Sequence, residues 1–314
     1  MTSIEPIPAP APLAKGVDPK ALFAIRDLEL RARVLVEGMW SGLHRSPYSG
    51  FSVEFTEYRQ YSPGDDLRYL DWRVLARTDR VFVKKFEEET NLCCLFLVDV
   101  SRSMLFGSLG WTKADYARTL AATFAFFLNQ QRDIVGLGLF DGEMREYLPP
   151  RWRPGHFRRI LAMLEREPAG NDTKLGHALE QAAMLCRRRS LVFLLSDFLS
   201  PVAEWSDQLG HLAAAGHDVR ALQVLDPAEL TLDFGSAALW EDMESGRSLY
   251  VDPVRARTAY RARLDAHNTE VRAALERRGV TYQQASTDSP LDRVLLELIQ
   301  PHASRRVIRR RTQR

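Results

Sequence analysis

A chain of 314 residues with a formal net charge of +2 is long enough for one large domain or two modest ones, and it carries no global field to hold nucleic acid or an acidic membrane. Hydrophobic residues make up 45% and charged residues 27%, the balance of a globular chain that buries a core. Of the three cysteines, Cys93, Cys94 and Cys186, the first two lie in an apolar run without CxxC or Cys/His spacing, so the cysteines predict reduced, buried core residues of a cytoplasmic protein.

The opening residues, MTSIEPIPAPAPLAKG, lack the basic-then-apolar layout of a secretory signal, and 1–18 read as a disordered Pro/Ala tail. Apolar positions recur at helical spacing over 19–40, with Pro19 at the start. A charged, aromatic-rich stretch follows, broken by Gly42, Gly50 and Gly64, so 19–90 form an N-terminal helical and extended appendage. The apolar run LAATFAFFL at 120–128 is far short of the roughly 20 residues that cross a bilayer, and no membrane span is predicted.

From residue 92 the pattern alternates. Strand-length apolar runs at 92–99, 134–140, 190–196 and 217–225 are separated by helix-like segments at 112–130, 154–166, 174–187 and 202–214. CCLFLVDV, IVGLGLF and SLVFLLSDF are continuous runs, which predicts strands covered on both faces in a parallel or mostly parallel sheet. A hairpin is expected over 238–252, a long helix near 253–278, a strand at 280–286 and a last helix near 289–300. The fold class is therefore α/β, a doubly wound, mostly parallel sheet over 91–300, with a basic tail at 301–314.

In an open α/β sheet, ligands bind outside the carboxyl ends of the strands. The first run ends in LFLVDVSRSM, which places Asp99, Ser101 and Ser103 at alternate positions. Alone, this is compatible with a nucleophile, a metal nest or a polar turn. No G-x-S-x-G elbow surrounds either serine, and His156 and His177 fall in helical segments, as surface or packing residues. The stretch GSLGWTK at 107–113 fails the phosphate-loop spacing because no glycine precedes Lys113. Two other loops add oxygens to the same sheet edge: Thr173, after Asn171 and Asp172, and Asp197, after Ser196. Five hard oxygens without a nitrogen or sulfur donor suit Mg²⁺ or Mn²⁺. Two carboxylates converging without a cation would repel, raising one pKa.

Asp99-x-Ser101-x-Ser103 with Thr173 and Asp197 resembles the metal-ion-dependent adhesion site of von Willebrand factor A-like domains, in spacing and order across roughly 92–290. The resemblance implies a Rossmann-type fold and an acidic side chain of a partner protein completing the coordination. Upstream, Glu54-Phe55, Arg59, Tyr61, Pro63-Gly64-Asp65-Asp66, Arg68, Asp71-Trp72 and Ala76-Arg77 resemble the signature of the bacterial domain-of-unknown-function fifty-eight family. That resemblance implies association with a MoxR-type AAA+ ATPase. Many relatives carry N-terminal membrane helices, and this chain shows none.

Together these features give the expectation of a non-enzymatic, protein-binding adaptor that uses Mg²⁺ (or Mn²⁺) at Asp99, Ser101, Ser103, Thr173 and Asp197 and works with a MoxR-type ATPase in assembly or activation of other proteins. The alternatives are a metal-dependent hydrolase using the same ion to activate water, and a scaffold whose site stays empty. The charges over 57–89 fit two roles equally: Arg–carboxylate forks that pin the appendage, or a docking face.

Overall fold

The structure is a computed structural model that describes residues 16–43, 58–60, 82–84, 92–166, 174–186, 188–234, 237–241 and 248–299. The tails expected at 1–18 and 301–314 and the charged stretch 57–89 lie almost wholly outside the described residues, as do Thr173 and the tip of the expected hairpin.

The chain divides into two compact units, with Leu43–Asn91 forming one and the segments on either side of it the other. In the smaller unit, β1 (Tyr58–Gln60) pairs antiparallel with β2 (Phe82–Lys84).

The larger unit begins with two helices where the periodicity predicts one. α1 (Pro19–Phe23) is capped by Asp18, whose carboxylate accepts from Lys20 N at 2.9 Å, with Pro19 in the first turn. The chain then breaks, and α2 (Leu28–Leu43) starts anew because Asp27 Oδ1 accepts from Leu30 N at 2.7 Å. Leu28, Ala32, Leu35, Val36 and Met39 line one stripe of α2 and are buried with the α/β core, so these helices fold with the sheet and not with an appendage. Residues 19–42 thus belong with the sheet and 43–91 form the smaller unit, because the apolar stripe of α2 needs cover that the core supplies.

Six strands make the central sheet: β3 (Cys93–Asp99), β4 (Ile134–Phe140), β5 (Met144–Arg151), β6 (Leu191–Ser196), β7 (Asp218–Leu225) and β10 (Thr281–Ser286), in the order β10-β7-β6-β3-β4-β5. All pairings are parallel except β4 with β5. This is the doubly wound, mostly parallel sheet the continuous apolar runs predict. Successive side chains alternate between two cores. Cys94, Phe96 and Val98 of β3 join one with α2, α3 (Lys113–Gln130), α4 (His156–Leu164) and α9 (Leu291–Ile299). Leu95 and Leu97 join the other with α5 (Leu175–Leu185), α6 (Ser206–Ala214) and α8 (Pro253–Arg277).

Strand β5, MREYLPPR, is not among the expected strands. It runs antiparallel at the sheet's edge, and Pro149 and Pro150 fall where its register with β4 shifts, between the pairs Val135–Arg151 and Leu137–Leu148. Pro150 packs on Gly136, where an added Cβ would lie 2.7 Å from its ring. The expected hairpin is present as β8 (Ala238–Glu241) and β9 (Ser248–Val251). Of the cysteines, Cys94 is buried as expected; Cys93 and Cys186 sit at strand and helix ends and are only half-buried. Among the described residues, no helix is long and apolar enough to cross a membrane.

Candidate metal centre

The carboxyl end of the sheet gathers the polar residues. At the end of β3, the amide of Val100 still bonds Phe140 O at 2.8 Å, continuing the parallel ladder, and then the chain turns. The amide of Ser101 folds back onto Asp99 Oδ1 at 2.9 Å, a local turn that aspartate favours. One tight helical turn at Ser103–Leu105 follows, anchored by the buried Met104. It leaves the hydroxyls of Ser101 and Ser103 3.2 Å apart. Three of the residues expected at the site are therefore together, with Asp99 and Ser101 wholly buried.

Asp197 follows the neighbouring strand β6. Ser196, one residue before it, reaches across and donates its hydroxyl to Asp99 Oδ2 at 2.6 Å. Burial, with the charge of Asp197 second, pushes the Asp99 carboxyl up to about 7, against the hydrogen bonds from Ser196 and Ser101. The charge of Asp197 thus adds to burial in disfavouring an ionised Asp99. Asp197 is fixed by its own backbone. Its carbonyl accepts from Gln223 Nε2 at 2.9 Å, and Gln223 Oε1 in turn accepts from Tyr282 OH at 2.5 Å. Phe198, next in the chain, sits at φ +53°, a left-handed conformation costly for an aromatic residue, and its ring is buried against Trp205.

The sequence reading missed Lys113. It is the first residue of α3, and its side chain is fully buried. Its ammonium donates to Asp197 Oδ2 at 2.9 Å and to Glu229 Oε1 at 2.7 Å. Burial opposes its charge, but Asp197 and Glu229 outweigh burial and push it up to about 12. Its backbone is held by a capping box between Thr112 and Asp115 and by its amide on Phe106 O at 2.9 Å. Glu229 lies in the short helix α7 (Pro227–Thr231), where it also caps: Glu229 Oε2 accepts from Asp226 N at 2.9 Å. Asp226 takes the amide and hydroxyl of Ser108, the amide of Ala228 and the hydroxyl of Thr287, tying together the ends of β3, β7 and β10. One signal did point to Lys113: a cation in the first turn of a helix opposes the macrodipole and needs a local reason.

Thr173 lies outside the described residues; the structure resumes at Lys174, whose amide reaches Asp141 O at 3.4 Å, at the end of β4. The helix that Thr173 precedes therefore starts at the same sheet edge. His156 and His177 stand apart from the site. His156 is buried with Nε2 on Val135 O at 2.8 Å, and His177 is exposed on α5.

The donor set fits a hard divalent cation. Asp99 is a buried carboxylate whose ionisation the protein alone disfavours, two hydroxyls stand beside it, and Asp197 is adjacent. Among the described residues no group of three or more His, Cys, Asp or Glu side chains is arranged to hold a metal, so an ion here depends on the serine hydroxyls.

The model of the family described as "Protein of unknown function DUF58" matches residues 57–274. An uncharacterized protein of Mycobacterium tuberculosis strain H37Rv is 32% identical over 295 residues, covering 92% of this chain and 91% of that protein. An uncharacterized Mycobacterium bovis protein matches to the same extent. Among solved structures, the conserved hypothetical protein BatB from Bacteroides thetaiotaomicron is 16% identical, with a TM-score of 0.45 over 66% of this chain and 96% of that one. The SpRpn10 VWA domain is 12% identical, with a TM-score of 0.38 over 65% and 93%.

Proposed function

The chain belongs to the DUF58 family, and from that premise we propose that it is a cytoplasmic, non-enzymatic adaptor whose sheet edge presents a divalent cation to an acidic side chain of a partner protein. The observation that carries the reading is the Asp99 carboxylate: it is wholly buried, its pKa is raised by that burial and then by the charge of Asp197, and two serine hydroxyls stand beside it. Asp99, Ser101 and Ser103, with Asp197 and Thr173, would hold Mg²⁺ or Mn²⁺ directly or through water. A bound divalent ion would supply positive charge and an open coordination position for an incoming carboxylate. Ser196 and the Ser101 amide orient Asp99, while Lys113 and Gln223 fix Asp197. The family resemblance gives a MoxR-type AAA+ ATPase as the machine this adaptor works with, in assembly or activation of other proteins.

The test is a melting curve with and without Mg²⁺ and Mn²⁺, in wild type and Asp197→Ala. An ion that binds only the folded chain adds about 2.7 kcal/mol at a hundredfold excess over its Kd. A rise in the wild-type midpoint that Asp197→Ala lacks supports the reading; identical responses remove it. Robust metal-dependent turnover of generic phosphoesters, lost in Asp99→Ala, would instead establish the hydrolase alternative.

A further inference from the structure

Five arginines gather at the end of the sheet opposite the candidate metal centre. Arg132 lies two residues before β4, Arg151 ends β5 opposite Val135, Arg153 follows in the turn, and Arg158 and Arg159 stand in the first turn of α4. Among the described residues none of the five forms an ion pair, although the neighbouring Arg145 and Arg166 do. Three of them converge on His156, which is buried with Nε2 on Val135 O. Burial holds that imidazole below its usual range, its bond to Val135 O opposes this, and the charges of Arg159, Arg153 and Arg151 add to the lowering. The start of α4 adds positive character of its own. Gly155 at its N-cap, at φ +79°, has no side chain to cap with, and no acid stands in the first turn, so the amides there add the positive end of the helix dipole. Beside them Trp152 is 45% exposed, with Arg132 5.9 Å from its ring centre.

A groove of about 310 Å³ opens between β5 and α4 next to this patch. Its apolar lining is Tyr147, Leu148, Ala162 and Met163. Its charged lining is Glu146 and Arg166, paired with each other at 2.6 Å, and Arg159, which belongs to the patch. Leu148 and Met163 are recessed, at 4% and 8% exposure, so the groove suits an inserted side chain, whereas a bilayer needs a protruding apolar tip. A nucleic-acid strand needs a series of open aromatic faces; Trp152 offers one, and Arg132 already lies over it. Strand addition along β5 is interrupted at Pro149 and Pro150. The complement that remains is a peptide with carboxylates for the arginines and an apolar side chain for the groove.

We propose that this end of the sheet is a docking surface for an acidic segment of another protein, whose carboxylates meet Arg151, Arg153, Arg158 and Arg159 while a neighbouring apolar side chain fills the groove beside Met163. Tryptophan and arginine are the residue types that most often anchor such contacts. The surface lies apart from the metal centre and stands without the metal-site reading. An adaptor with both would hold one partner at each end of its sheet.

The experiment is fluorescence anisotropy of labelled synthetic peptides with the full-length protein in EDTA, which keeps the opposite end free of cations. The probe alternates glutamate and leucine; its controls are an all-glutamate peptide and one alternating glutamine and leucine. The probe should bind more tightly than either control and weaken as salt rises. Arg153→Glu with Arg159→Glu should weaken it about tenfold or more, since two exposed attractions become repulsions. Arg261→Glu with Arg263→Glu, on α8, is the matched control and should leave it within about twofold. All four of these arginines are exposed, so neither double variant disturbs the core. Ala162→Phe, at an exposed position lining the groove, should lower the probe to the affinity of the all-glutamate peptide. A probe that does not bind wild type, or that both double variants weaken equally, overturns the proposal. So does single-stranded oligothymidylate or a phosphatidylserine vesicle that binds more tightly than the probe and is lost in Arg153→Glu with Arg159→Glu, because the patch then serves nucleic acid or membrane. None of these results bears on the metal site, which the melting curves test separately.

Discussion

Ser196 Oγ donates to Asp99 Oδ2 at 2.6 Å, joining the carboxyl ends of two adjacent parallel strands by a buried hydrogen bond. The bond does two things. It fixes the rotamer of Asp99, and it favours the ionised form that burial and Asp197 oppose. Ser196 Oγ also accepts from Phe198 N at 3.2 Å, which supports the left-handed residue after Asp197. Ser196→Ala should therefore destabilise the protein by about 1–3 kcal/mol, as a buried acceptor and a strained amide lose their partner. It should also raise the Asp99 pKa further. Denaturant melts and an Asp99 carboxyl titration by NMR would check both.

Stability in the absence of metal should fall as pH rises. Asp99 titrates near 7 in the folded chain and near 4 when unfolded, so between those values the folded state holds the extra proton. The folded state thus has its full advantage below about pH 4 and loses it progressively up to about pH 7, an effect of at most about 4 kcal/mol from this group. Melting in EDTA between pH 5 and pH 7.5 should show the decline, and Asp99→Asn should flatten it. Metal binding, which needs the carboxylate, should strengthen over the same interval.

Two glycines of the loop before Lys113 should behave differently. A Cβ on Gly107 would lie 2.1 Å from Trp111 O, a backbone atom that cannot swing away. Gly107→Ala should cost about 2 kcal/mol or more and dislodge the loop that seats Lys113. Gly110, at φ +88° with open space around it, should lose only about 1 kcal/mol as alanine. Chemical denaturation of the two variants side by side would separate them.

Tyr282→Phe removes one hydroxyl, but that hydroxyl orients Gln223, and Gln223 holds the Asp197 carbonyl. The expected loss is about 1–2 kcal/mol in stability, with a weakened Mg²⁺-dependent rise in midpoint. Tyr282 lies on β10, two strands away from Asp197. A change in metal response from that distance would show that the network, and not Asp197 alone, sets the site.

The sheet was legible because its strands are continuous apolar runs: the expected 134–140 is Ile134–Phe140, and the other central strands begin one residue later than expected. Strand β5 was hidden because two prolines argue against a strand, and only an edge position with shifted register tolerates them. The division of the first helix turned on a single cap, Asp27, which periodicity does not register. Asp99, Ser101, Ser103 and Asp197 could be read from spacing, since Asp99 ends one buried strand and the others follow a buried strand. The pairing of Lys113 with Glu229 could not, because 116 residues separate them, and a cation in the first turn of a helix hints at a local reason without naming its partner. Their pairing exists only once β3, β6 and β7 lie side by side.

The two prolines of β5 have a consequence for the protein in solution. A sheet edge presents a row of unpaired amides, which is a template for a strand from another molecule. Proline has no amide hydrogen, and here two stand together at the point where the register already slips. An incoming strand would find the row interrupted at Pro149 and Pro150 and could not form a continuous ladder along β5. The outermost strand on that side thereby resists edge-to-edge aggregation.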